Sequence, residues 1–126
     1  MGSGIASYRD LEVWQKAMDL AVQAYRSTRR FPKHEQFALA TQVRRAVVSV
    51  PSNIAEGHGR SKTGDYLHHL SIAHGSLMEF ETQVMLANRL EYLPSDEAGL
   101  LLKSSGEVGR MLHGLIPSLK PAGEAA

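Results

Sequence analysis

Residues 42–60 read QVRRAVVSVPSNIAEGHGR, and the spacing within this stretch decides the fold. Gln42, Arg45, Ser49, Asn53, Glu56 and Arg60 recur three and four positions apart, which places them on one face of a helix. Leu39, Val43, Val47, Val50 and Ile54 form a second, apolar stripe, the pattern of a side turned to a core. The apolar phase runs through Pro51, whose ring opposes the carbonyl of Val47 and removes one backbone bond. The expectation is a helix from about Glu35 to Gly57, kinked at Pro51 and stopped by Gly57 and Gly59. Its polar stripe is small and mostly neutral, where a solvated face would be rich in Lys and Glu. It suits another chain or a polar ligand better than water. Its six residues are therefore the expected oligomer interface.

Three further segments carry helical periodicity, and none shows the strict alternation of a half-buried strand. From about Tyr8 to Arg30, the residues Leu11, Trp14, Met18, Ala21 and Tyr25 make a stripe that Val22 widens. Ser7 and Asp10 have capping-box spacing at its start, and Phe31-Pro32 closes it as a turn with an apolar plug. From about Lys62 or Gly64 to Leu90, the stripe is Tyr66, Leu70, Ala73, Leu77, Phe80, Val84 and Ala87, capped by Ser61 or Thr63. Leu67, Met78, Met85 and Leu86 flank it. The last helix starts at Ser95, with Asp96 and Glu97 at its positive end. It buries Leu101, Val108, Leu112 and Leu115 and ends at Pro117. Connections this short imply an all-α, antiparallel up-and-down four-helix bundle over residues 8–117. Residues 1–7 are expected to be flexible and residues 118–126 a disordered tail.

The chain has 126 residues, enough for one domain with one core. No apolar run is long enough to cross a membrane, and the start lacks the pattern of a signal peptide. The absence of cysteine removes disulfides and thiolate metal sites and agrees with a cytoplasmic location. A net charge of +1 conceals an asymmetry: residues 1–62 carry ten basic and five acidic side chains, residues 63–126 four and eight. Either neighbouring helices neutralise one another, or the first half presents a basic surface to polyanions. The second alternative makes Arg26, Arg29, Arg30, Arg44, Arg45, Arg60 and Lys62 candidates for nucleic-acid phosphates. Phe31 is the one aromatic expected beside them, so such binding should follow the backbone rather than the bases.

Candidate chemistry is sparse. Nucleotide-binding, zinc-protease and serine-nucleophile motifs do not occur. Asp65 and His69 are one helical turn apart beside His68, but His74 is turned away from them. Glu79 and Glu81 point to different sides, and Glu56 is placed to bridge to Arg60 or Arg45. No catalytic residue, metal ligand, cofactor or small-molecule substrate is expected.

Four blocks carry a family resemblance: RDLEVWQKAMDLAVQAY, FPKHE, QVRRAVVSVPSNIAEGHGR and AHGSLMEFETQV. In this order, from Arg9 to about Leu93, the chain resembles the four-helix-bundle proteins encoded within 23S ribosomal RNA intervening sequences. It departs from their usual pattern at His58 and at Gly64-Asp65. The resemblance implies a cytosolic bundle that assembles into ring-like pentamers and has no established enzymatic activity. It also implies kinship with a protein of diversity-generating retroelements that accompanies reverse transcriptase and binds nucleic acid through a basic surface. The leading expectation is a non-enzymatic oligomeric scaffold whose partner is RNA or a nucleic-acid-processing protein. A purely structural assembly with a protein ligand stands second, and an unrecognised enzyme or metal protein third.

Overall fold

Ser7 and Asp10 close the capping box that their spacing predicts. The Ser7 hydroxyl accepts from the Arg9 amide at 3.1 Å, and the Asp10 carboxylate accepts from the Ser7 amide at 3.1 Å. They cap a 3-10 turn, Tyr8–Asp10, rather than the helix itself, because Leu11 is extended and restarts the chain. In the computed structural model, which describes residues 6–119, four helices follow: α1 Glu12–Thr28, α2 Leu39–His58, α3 Thr63–Arg89 and α4 Ser95–Leu119. Each packs on its neighbours in sequence, and α4 closes back on α1. The directions alternate. Ser49 of α2 meets Ser76 of α3, and four residues on Asn53 meets His69. Among the described residues there is no strand, and no helix is long and apolar enough to cross a membrane.

The predicted phases of α2 and α3 match the core. Val43, Val47, Val50 and Ile54 are buried, as are Leu70, Ala73, Leu77, Phe80, Val84 and Ala87, with Tyr66 half-buried. In α4, Leu101, Val108 and Leu112 are buried and Leu115 is partly so. Phe31 is buried as a plug, its ring 5.8 Å from that of Tyr92.

The expected phase of α1 is only partly met: Ala21 is buried and Leu11 and Trp14 pack against the core, but the rest of the stripe is exposed. Val13, Ala17, Leu20, Ala21 and Ala24 face inward, whereas Met18, Val22 and Tyr25 are exposed and Trp14 is only half-buried against Tyr8. The alanines leave room for neighbouring helices to pack closely on α1, and that fit outweighs the larger apolar area of the adjacent stripe.

Several boundaries also move. Lys33–Glu35 forms a 3-10 turn and α2 begins only at Leu39, with the Glu35 carboxylate accepting from the Leu39 amide at 3.3 Å. Lys62, not Ser61 or Thr63, precedes α3, without a side-chain cap. α4 continues to Leu119, past Pro117, because a proline this near the end interrupts little of the remaining ladder. Residues 1–5 and 120–126, which include most of both expected flexible ends, lie outside the described residues. α2 itself runs unbroken through buried Pro51, so residues 52–56 are helical.

Candidate nucleic-acid interface

The C-terminal end of α1 leaves backbone carbonyls without partners inside the helix. Gln36, in the turn before α2, takes up this demand: its Nε2 donates to the Thr28 carbonyl at 3.1 Å and the Phe31 carbonyl at 2.8 Å. Its remaining oxygen accepts from Arg44 Nη2 at 3.2 Å. Arg44 Nε donates to the Thr28 hydroxyl at 2.9 Å, and that hydroxyl donates to the Tyr25 carbonyl at 3.1 Å. The guanidinium also lies 5.5 Å from the centre of the Tyr25 ring, within the range of a cation–π contact. Arg44 is thus fixed entirely by neutral groups, and its charge is not cancelled.

Around this fixed arginine two surface grooves meet. One, of about 450 Å³, runs between α1 and α2 and has Met18, Val22, Tyr25, Val48 and Pro51 in its walls, with Arg26 and Arg29 at its edge. The other, of about 440 Å³, has Arg44 and Arg45 at its edge and shares Tyr25 and Val48 with the first. No carboxylate lines either groove. Among the described residues Arg26, Arg29, Arg44 and Arg45 form no ion pair.

The other candidate cations lie elsewhere. Arg30 reaches across to α4 and pairs with Glu97. Arg60 pairs with Glu56 at 3.8 Å, and exposed Lys62 follows it at the far end of α2. That end is about 20 Å from Arg45 along the helix axis. Of the seven predicted cations, the structure brings four together.

Ser49 and Asn53 of the polar stripe are used within the protomer. The Ser49 and Ser76 hydroxyls are 2.8 Å apart, and Asn53 Nδ2 donates to the Ser49 carbonyl at 2.9 Å and hydroxyl at 3.0 Å. With its amide committed as donor, the Asn53 oxygen accepts, so His69 Nδ1, 3.0 Å away, carries the proton. His69 Nε2 then faces Glu56 at 3.9 Å. Gly57 lets the two helices close over this seam, since a Cβ there would stand 2.7 Å from His69 Cβ. Gln42, Arg45, Glu56 and Arg60 remain exposed. Among the described residues no three His, Asp or Glu side chains stand close enough to share a metal ion.

Sequence reasoning missed Tyr25. Phe31 is buried, and the aromatic ring beside the arginines is the 42% exposed Tyr25. The signal was present: Val22, Tyr25, Arg26 and Arg29 share one face of α1 by their three- and four-residue spacing. The phase assigned to α1 placed that face in the core.

The model of a protein family described as 23S rRNA-intervening sequence protein matches residues 9–114. This chain belongs to that family. A solved member of the fold is a protein of unknown function from the S23 ribosomal protein family of Bacteroides thetaiotaomicron. It is 24% identical, covers 82% of this chain and 94% of its own, and superposes with a TM-score of 0.77. At that identity it supports the bundle of this intervening-sequence protein and nothing about its ligands. No curated protein matches the chain.

Proposed function

We propose that this intervening-sequence protein is a non-enzymatic, self-assembling cytoplasmic bundle that binds nucleic acid by its phosphates. The observation that carries the reading is the α1–α2 face, where four arginines stand without a carboxylate partner among the described residues. Arginine forks match phosphate oxygens in charge and geometry, and releasing counterions from the strand drives such binding. The family name makes ribosomal RNA the first probe. Repetition of the face around a homo-oligomer, a pentamer if the family resemblance holds for assembly, raises avidity without strengthening any one site.

The test is fluorescence anisotropy with a ribosomal RNA fragment across a salt series. Affinity should fall steeply with salt, and Arg26→Glu with Arg29→Glu should weaken it at least tenfold while the oligomer persists. Absence of binding to structured RNA, single strands and duplex DNA at low salt overturns the reading.

A second reading, an assembly whose ligand is a protein, is favoured by one observation. Phe37 is 95% exposed, and Met85, Leu86 and Leu90 are about half exposed, more unpartnered apolar surface than a simple RNA binder needs.

A further inference from the structure

The two grooves ask for more than phosphate. A surface that only attracts a polyanion needs no apolar lining, yet Met18, Val22, Tyr25, Val48 and Pro51 line these grooves. The cations flank Tyr25, with Arg26 and Arg29 along one groove and Arg44 and Arg45 along the other. A ligand that satisfies the whole arrangement has a flat, weakly polar body with negative charge on either side of it. We infer that the α1–α2 grooves hold an unpaired base of a single-stranded RNA, stacked at Tyr25, with its flanking phosphates on the arginine pairs.

The inference rests on the nucleic-acid reading above and narrows it from any backbone to a strand whose bases are free. A duplex keeps its bases stacked inside and offers Tyr25 nothing, whereas every unpaired base has a face to stack. Preorganisation adds to the case. Thr28, Gln36 and the Tyr25 ring already hold Arg44, so little side-chain freedom is lost there when a phosphate arrives. An acidic lipid or a lone anion would use one pair of arginines and leave the other idle.

The experiment compares one oligoribonucleotide alone and annealed to its complement, titrated into the full chain at fixed salt. A strand carrying 2-aminopurine reports base stacking by fluorescence quenching. The single strand should bind at least tenfold more tightly than the duplex. Tyr25→Leu, which keeps apolar bulk but removes the aromatic face, should cost roughly tenfold for the single strand and abolish the quenching. The duplex affinity should fall much less, because Tyr25 serves a duplex only through its contact with the Arg44 guanidinium. Unaltered thermal unfolding and oligomer mass would show that the variant folds. Val22→Glu, at a 47% exposed position, should repel the strand through charge and supplies an independent check. Equal affinity for strand and duplex, with Tyr25→Leu unchanged, overturns the inference while phosphate binding stands. No binding of either overturns both. A Tyr25→Leu chain that binds RNA normally but loses its oligomer assigns the grooves to a subunit contact and also overturns it.

Discussion

Phe80 has no exposed surface and lies on the buried face of α3, the helix that packs between α2 and α4. Truncating it to Ala removes most of an aromatic ring that no neighbour can replace, and equilibrium unfolding should show a loss of roughly 3–5 kcal/mol. A loss below about 1 kcal/mol would contradict its burial. Gly57 is a different kind of residue-scale constraint, because its missing Cβ is what lets α2 approach His69. Gly57→Ala should destabilise by about 1–3 kcal/mol despite the better helix propensity of Ala, as read by urea melts. Tyr92 adds a pH dependence. Its hydroxyl donates to the Glu35 carboxylate at 2.9 Å, so ionising it would lose that bond and set two negative charges together; its pKa lies above the usual 10.0. The stability owed to this proton is complete below about pH 10 and drains away as pH rises through the higher folded value. Burial raises Tyr66 in the same sense. Urea midpoints between about pH 9 and 11.5 should therefore fall with pH, and Tyr92→Phe should flatten the fall without removing it.

At the scale of the helices, legibility depended on whether bulk and direction agree. In α2 and α3 the largest apolar side chains point inward, so reading periodicity was enough. In α1 the inward face mixes Val13 and Leu20 with three alanines while Met18, Val22 and Tyr25 point outward, so the same reasoning selected an adjacent stripe that shares only Ala21. The candidate interface inherited this error, since Tyr25 was assigned to the core. The seam of Ser49, Asn53 and His69 was hidden for another reason: a neutral polar stripe looks alike whether it meets a neighbouring helix or a neighbouring subunit. Pro51 was read correctly as interior to α2. Its ring forbids one hydrogen bond and should bend the helix there, but Pro51 is packed in the core on the stripe that continues to Ile54. Pro51→Ala should keep the far-ultraviolet circular dichroism spectrum and the bundle; loss of helical signal would mean that the bend is needed for packing.

For the whole molecule, the charge asymmetry has a spatial form in which the first half contributes the arginine face, while α3 and α4 carry six acidic side chains against three basic ones. Exposed Ile72, Met78, Met85 and Leu86 on α3 offer an apolar surface for contacts between successive copies, separate from the residues that line the α1–α2 grooves. Sedimentation should give a closed species, near five times the 13.8 kDa chain mass if the family resemblance holds for assembly. A 13.8 kDa particle throughout the micromolar range would remove self-association altogether.

The outward bulk of α1 also bears on how the chain finds its fold. Turned by one residue, about 100°, the helix would offer Trp14, Met18 and Tyr25 to the core in place of Val13, Ala17 and Ala24, a bulkier choice than the one it makes. The native arrangement wins on volume, since the space beside α1 is fitted to Ala17, Ala21 and Ala24. A loosely collapsed chain, whose interior has not yet tightened, lacks that discrimination. α1 therefore carries its own decoy. Misphased docking of this one helix is the trap to look for in refolding kinetics, as a slow phase that Met18→Ala or Tyr25→Ala should diminish.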